Sequence, residues 1–203
     1  MYNVSSRRSF LKKVSITSVA TLACREQVDG SWFSSFLKSH ETVDKEKITG
    51  IPDEWYELDG PIVYQYGKYI MDLKLKHITP RMVIHPHYKS RRGVKNSLPP
   101  KKMWKKIGPT LKAIDSICDV TGTSVDEILS VYRSPSYNRA VRGNIGSYHM
   151  CNQAVDIRFN NMSSWKAAKT VRYLRDSKNV FRGGVGSYRG FIHIDTRGVN
   201  ADW

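Results

Sequence analysis

The sequence predicts an α+β fold, a small antiparallel sheet with flanking helices, and three observations carry that reading. Met103, Ile107, Leu111, Ile114 and Cys118 recur at helical spacing and form one apolar stripe that ends near Gly122. Gln153 to Phe159 alternates as a half-buried strand does, with Ala154, Asp156 and Arg158 on one face and Val155, Ile157 and Phe159 on the other. A glycine-rich turn, Arg182-Gly183-Gly184-Val185-Gly186, leads into a final strand, Phe191 to Asp195. Helix and short strands in this order suit an α+β domain.

The remaining elements follow along the chain. Residues 25–60 are polar, punctuated by Gly and Pro, and read as a loosely structured lead-in. Ile62 to Tyr66 and Tyr69 to Leu75, flanking Gly67-Lys68, read as the two strands of a hairpin. Ser124-Val125-Asp126-Glu127 is a capping-box pattern for a helix of a turn or two, while Ile128 to Tyr132 reads equally well as a strand. Ser163 caps a helix through Leu174 whose apolar stripe is Trp165, Ala168, Val171 and Leu174. No internal repeat is visible. The chain thus divides into a leader at 1–24, a lead-in with a hairpin at 25–80, and a domain at 81–203 that carries the chemistry.

Composition excludes several classes. Apolar residues make up 40% of the 203 and aromatics 11%, enough for a core, so general disorder is ruled out. No run of about 18 uninterrupted apolar residues offers a standard spanning helix. Three cysteines (Cys24, Cys118, Cys151) are too few for a disulfide-dense scaffold or paired-cysteine zinc modules. Lys and Arg number 33 against 18 Asp and Glu, a net charge of +15. Residues 81–112 hold ten basic residues and no acid, mixed with Trp104, Pro99 and Pro100 rather than forming a simple tail. That excess suits a nucleic-acid backbone or any other polyanion, a wall polymer included. No zinc-finger, helix–turn–helix or RNA-stacking motif accompanies it, so specific nucleic-acid binding is not expected.

The first residues supply a compartment. Ser6-Arg7-Arg8-Ser9-Phe10-Leu11-Lys12 reads as a twin-arginine export signal, followed by a weakly apolar stretch from Val14 to Ala23. Cys24 behind Leu22-Ala23 also resembles a lipoprotein attachment site. The expectation is export by the twin-arginine machinery to the periplasm or cell envelope, with lipid anchoring through Cys24 as an alternative to cleavage. Outside the cytoplasm Cys118 and Cys151 could also pair.

Two of the six histidines keep chemically suggestive company. His149 follows a Gly/Asn-rich loop, and seven residues later Asp156 sits on the polar face of its strand, where an ionised group needs a partner. His193 lies on the final strand with Asp195 on the same face and Ile192 and Ile194 opposite. Two histidines and an aspartate with a fourth position for water form the arrangement of a catalytic zinc site, whose ion polarises a carbonyl for amide hydrolysis. Spacing alone equally permits ordinary hydrogen-bonded histidines. His85 and His87, in Ile84-His85-Pro86-His87, read as surface residues near a basic loop.

Three ordered motifs narrow the choice. Ser147-Tyr148-His149-x-x-x-x-Ala154-x-Asp156 resembles the first zinc motif of the D-alanyl-D-alanine carboxypeptidase and murein endopeptidase K group of zinc peptidases. Gly183-Gly184-Val185-Gly186-x-Tyr188-x-x-Phe191-Ile192-His193-Ile194-Asp195-Thr196 resembles the second motif of the endopeptidase K branch, and Tyr132-Arg133-Ser134-Pro135-x-x-Asn138 is similar to the segment preceding them. The resemblance covers roughly residues 80–203. It implies a peptidoglycan peptidase in which His149, Asp156 and His193 bind Zn2+, Arg133 grips a substrate carboxylate, and Asp195 acts as base or orients His193. Partners would be a peptidoglycan peptide and anionic envelope polymers.

Two positions depart from the family pattern. Asn152 stands where a glycine is usual, a change a left-handed turn tolerates because Asn enters that conformation. Gly190 stands where the carboxypeptidase branch carries a Glu as general base, which keeps open a binding module of the same fold without turnover.

Overall fold

A computed structural model of the chain describes residues 47–203, so the leader at 1–24, Cys24 and the first part of the lead-in lie outside the described residues. Helices α1 (Asp53–Asp59), α2 (Pro61–Asp72) and α3 (Pro80–Ile84) come first, and a single-turn 3-10 helix, His85–Tyr88, follows. A two-residue hairpin, β1 (Ser90–Arg91) and β2 (Val94–Lys95), precedes the long helix α4 (Trp104–Thr121). Then come β3 (Val125–Ser130), α5 (Pro135–Ala140), a 3-10 turn at Tyr148–Cys151, β4 (Ala154–Phe159) and α6 (Ser164–Lys178). The chain closes with β5 (Gly184–Tyr188), β6 (Phe191–Asp195) and β7 (Ala201–Asp202).

The architecture is α+β as expected, but the main sheet is larger and mixed. It has five strands in the order β3-β4-β6-β5-β7, antiparallel except for β7, which runs parallel to β5. Helix α4 forms where its stripe predicts, burying Ile107, Leu111, Ile114 and Cys118 and ending at left-handed Gly122. Strand β4 also matches its pattern: Val155, Ile157 and Phe159 enter the core, while Asp156 and Arg158 share the other face. Of the two readings for 124–132, the strand is realised.

The hairpin expected at 62–75 is a helix. Val63, Tyr66, Gly67 and Ile70 are its buried residues, a three-and-four spacing that closes one helical face onto the core. Tyr and β-branched residues raise strand propensity there, but packing of that face decides. Pro61 at the first helical position fixes the start, since its missing N–H has no helical partner to lose. Residues 48–80 are not loose either. Ile48, Ile51, Trp55, Val63, Tyr66, Ile70 and Ile78 belong to the same apolar cluster as Ile157 and Ile192, so no domain boundary falls at 80. In α6 the cap is Ser163, whose side chain accepts from the Lys166 N–H, yet Trp165 lies outside the buried stripe and is 69% exposed. Among the described residues no helix is long and apolar enough to cross a membrane.

Candidate metal centre

Antiparallel register builds the site. Strands β4 and β6 pair so that Asp156 stands opposite His193 and Ala154 opposite Asp195. His149 arrives from the 3-10 turn just before β4. That turn ends at Asn152, which adopts φ 55 and ψ 44, the left-handed conformation anticipated for an asparagine at this position. Asn152 also donates from Nδ2 to the Met103 carbonyl, tying the turn to the start of α4. The sequence-predicted trio therefore meets in space: His149, Asp156 and His193 are all buried, and their ligand atoms lie within 4.8 Å of one another.

Hydrogen bonds fix which atoms face inward. His149 Nδ1 donates to the Val131 carbonyl at 2.6 Å, which leaves Nε2 as a lone-pair nitrogen. His193 Nε2 lies 3.0 Å from Asp195 Oδ2. Asp195 also accepts from the Gly184 and Arg197 N–H groups and, on both oxygens, from the Arg197 guanidinium, so it is ionised and His193 must be the donor. Three acceptors then converge: His149 Nε2 is 3.0 Å from Asp156 Oδ1 and 3.1 Å from His193 Nδ1, and His193 Nδ1 is 2.9 Å from Asp156 Oδ1. Three buried lone-pair atoms in mutual contact need a cation or a proton among them. Atoms bound to one tetrahedral zinc at ~2.0–2.1 Å sit roughly 3.3 Å apart, close to the observed edges, so the donor set fits that ion.

The local field agrees. Burial alone would raise the Asp156 carboxyl, but His149, His193 and Arg133 outweigh it and hold the group ionised well below the usual carboxylate range. Burial lowers His149 and keeps it neutral, as a ligand must be. Burial also opposes charge on His193, yet the two carboxylates beside it prevail and raise its pKa, so the pocket attracts a cation there, whether a proton or a metal ion.

The flanking residues separate into supports and cleft walls. Arg133 donates from Nε to Ser130 Oγ at 2.8 Å and from Nη2 to Asp156 Oδ2, bracing the ligand from behind. It also lines the cleft of about 610 Å3 over the three ligands. Asp195 is fully buried and does not line that cleft. Gly183 makes its place possible, since a Cβ there would lie 1.8 Å from the Asp195 carbonyl oxygen.

Sequence reasoning did not find two residues at the site. Arg197 stacks between the Tyr148 ring at 4.2 Å and the Trp203 ring at 5.0 Å, and Trp203 lies 5.2 Å from the His193 ring with its indole N–H on Tyr188 Oη at 2.7 Å. The alternation His193-x-Asp195-x-Arg197 was the available signal. Buried Arg175 holds the Trp203 segment down through Gly183 O, Ala201 O and Asp202.

Other candidates fall away from the site. His85 is exposed, as expected, but His87 is buried rather than on the surface, with Nδ1 donating to Ile84 O and its ring beside Tyr66 and Tyr132. Its partners in the core are set by helical spacing from Val83 and Ile84. Cys118 is buried and Cys151 exposed; both are free thiols, so the pairing allowed by the sequence is not made.

A buried His-Asp-His set at the floor of a cleft has the ligand chemistry of a metallohydrolase. Residues 76–195 match the family described as Peptidase M15, and the chain belongs to that family of zinc peptidases acting on peptidoglycan. Comparison with curated proteins and with solved structures found no significant match.

Proposed function

We propose that this chain is a zinc-dependent peptidase that cuts peptide bonds in peptidoglycan stem peptides or their cross-links. The observation that carries the reading is the convergence of His149 Nε2, Asp156 Oδ1 and His193 Nδ1, with the other ring nitrogen of each histidine held by an acceptor outside the cluster. His149, Asp156 and His193 would hold the ion. When bound, zinc supplies Lewis acidity, polarising a peptide carbonyl and making water acidic enough to attack it near neutral pH. Asp195, backed by Arg197, keeps the His193 proton on Nε2 and so presents Nδ1 to the ligand cluster. Asp195 is thereby a positioning residue rather than the base, because no face of it reaches the cleft. Arg133 steadies Asp156, and its Nη1, which makes no hydrogen bond among the described residues, is available to a substrate carboxylate.

A second reading, a peptidoglycan-binding module without turnover, draws on two observations. Apart from Asp156 the cleft lining contains no carboxylate, and Gly190 has φ 89, a conformation a Glu would adopt only with strain. A cross-linked muropeptide incubated with the zinc-loaded chain separates the two. Cleavage that stops on chelation and returns with zinc supports the peptidase, and zinc-dependent binding with no product supports the module. We also propose export by the twin-arginine route, checked by fractionating cells that carry Arg7→Lys/Arg8→Lys; accumulation in the cytoplasm is the expected result.

A further inference from the structure

A second cavity, of about 620 Å3, adjoins the metal cleft and shares Arg133, Val141, Asp156 and Phe191 with it. Each is within the size range of a small-ligand site. Four guanidinium groups line the second cavity, and four separate segments bring them there: Arg91 from β1, Arg133 after β3, Arg158 from β4 and Arg189 from the β5–β6 turn. Tyr137 and Phe191 supply aromatic surface between them. The lining holds one carboxylate, Asp156, and it is already committed to the metal trio and Arg133. Arg158 pairs with Glu127 at 2.9 Å, while Arg91 and Arg189 have no carboxylate partner among the described residues.

Like charges gathered around a concavity repel unless an anion joins them, and a cleft of one sign concentrates such an anion. Arginine's planar fork matches a carboxylate with two parallel hydrogen bonds. Position selects the source. Arg158 lies two residues beyond Asp156 on the same face of β4, a step of about 6.6 Å along a strand. A peptide held over the metal ligands would therefore place a group two residues away beside Arg158.

We infer that the arginine-lined chamber is a subsite for a carboxylate carried by the substrate peptide about two residues from the bond that is cut. The inference rests on the peptidase reading for the identity of that peptide, but binding tests it without turnover.

The probe is a stem tetrapeptide with free carboxylates, compared with the same peptide amidated at each, titrated calorimetrically into the full chain after chelation. The free acid is expected to bind about fivefold to tenfold tighter than the amide, a difference that weakens with salt. Arg91→Gln with Arg189→Gln, both at exposed positions, should erase the preference and leave the amide's affinity alone. Equal loss for both peptides, or no loss for either, overturns the subsite. So does tighter binding of a poly(glycerol phosphate) oligomer through the same arginines, which would make the chamber a wall-polymer site. If the zinc-loaded chain cuts neither peptide yet prefers the acid through these arginines, the peptidase reading fails and the chamber stands as the carboxylate site of a binding module.

Discussion

Asp195 shows how much of a candidate metal site is decided away from the residues that would hold the ion. It accepts five hydrogen bonds, does not line the cleft, and still determines which His193 nitrogen faces Asp156. Asp195→Asn keeps the shape and removes the charge, so zinc affinity should fall about 10-fold to 100-fold in a chelator competition. Unchanged affinity would remove the positioning role. His87 carries a different prediction. Burial pushes its pKa from 6.5 down to about 4, so between those values the unfolded chain binds more protons and stability rises with pH. His87 should therefore contribute a slope of up to about 1.4 kcal/mol per pH unit across that window, lost as pH falls. Denaturant unfolding at pH 4–7 should show His87→Phe with a shallower slope than the parent chain. The motifs that resemble a zinc-peptidase family, rather than residue type alone, picked out His149, Asp156 and His193, whereas the left-handed Asn152 was legible because asparagine enters that conformation readily. The burial of His87 was hidden by the polar run that surrounds it, although its spacing from Val83 was legible.

Among the elements, strands β4 and β6 were readable because alternation of core and site residues is local information. Helix α2 was misread because its tyrosines and β-branched residues also suit a strand, and the choice depends on a core contributed by distant segments. Strand β7 left almost no sequence signal. It is two residues long, and its place is fixed by Arg175 and the β5 backbone. The close pairing of the 183–186 segment with the Asp195 region offers a direct probe. Gly183→Ala would drive a Cβ into the Asp195 main chain, which has no flexible end to move aside. The expected result is a loss of more than about 3 kcal/mol of stability, read by denaturant unfolding, together with weakened zinc binding. A stable variant with full zinc affinity would show that the segment has more room than its packing indicates.

For the molecule as a whole, the family match begins at residue 76, but the core does not. Ile48, Trp55, Val63 and Tyr66 pack into the same cluster as the strands that bear Asp156 and His193, so the preceding helices are part of the scaffold that holds the candidate site. The excess of positive charge, which first suggested a nucleic-acid partner, has a more specific expression where Arg91, Arg133, Arg158 and Arg189 line one cavity beside Asp156 of the candidate metal centre. Family membership and the His-Asp-His geometry point the same way, toward a zinc-dependent peptidase acting on peptidoglycan. Digestion of isolated sacculi by the zinc-loaded chain, with His149→Ala as the paired control, tests that claim most directly. Mass spectrometry of the soluble products should show shortened or uncrosslinked stem peptides from the parent chain and none from His149→Ala, with both proteins folded. Intact sacculi in both reactions, or equal products from both, would contradict the account.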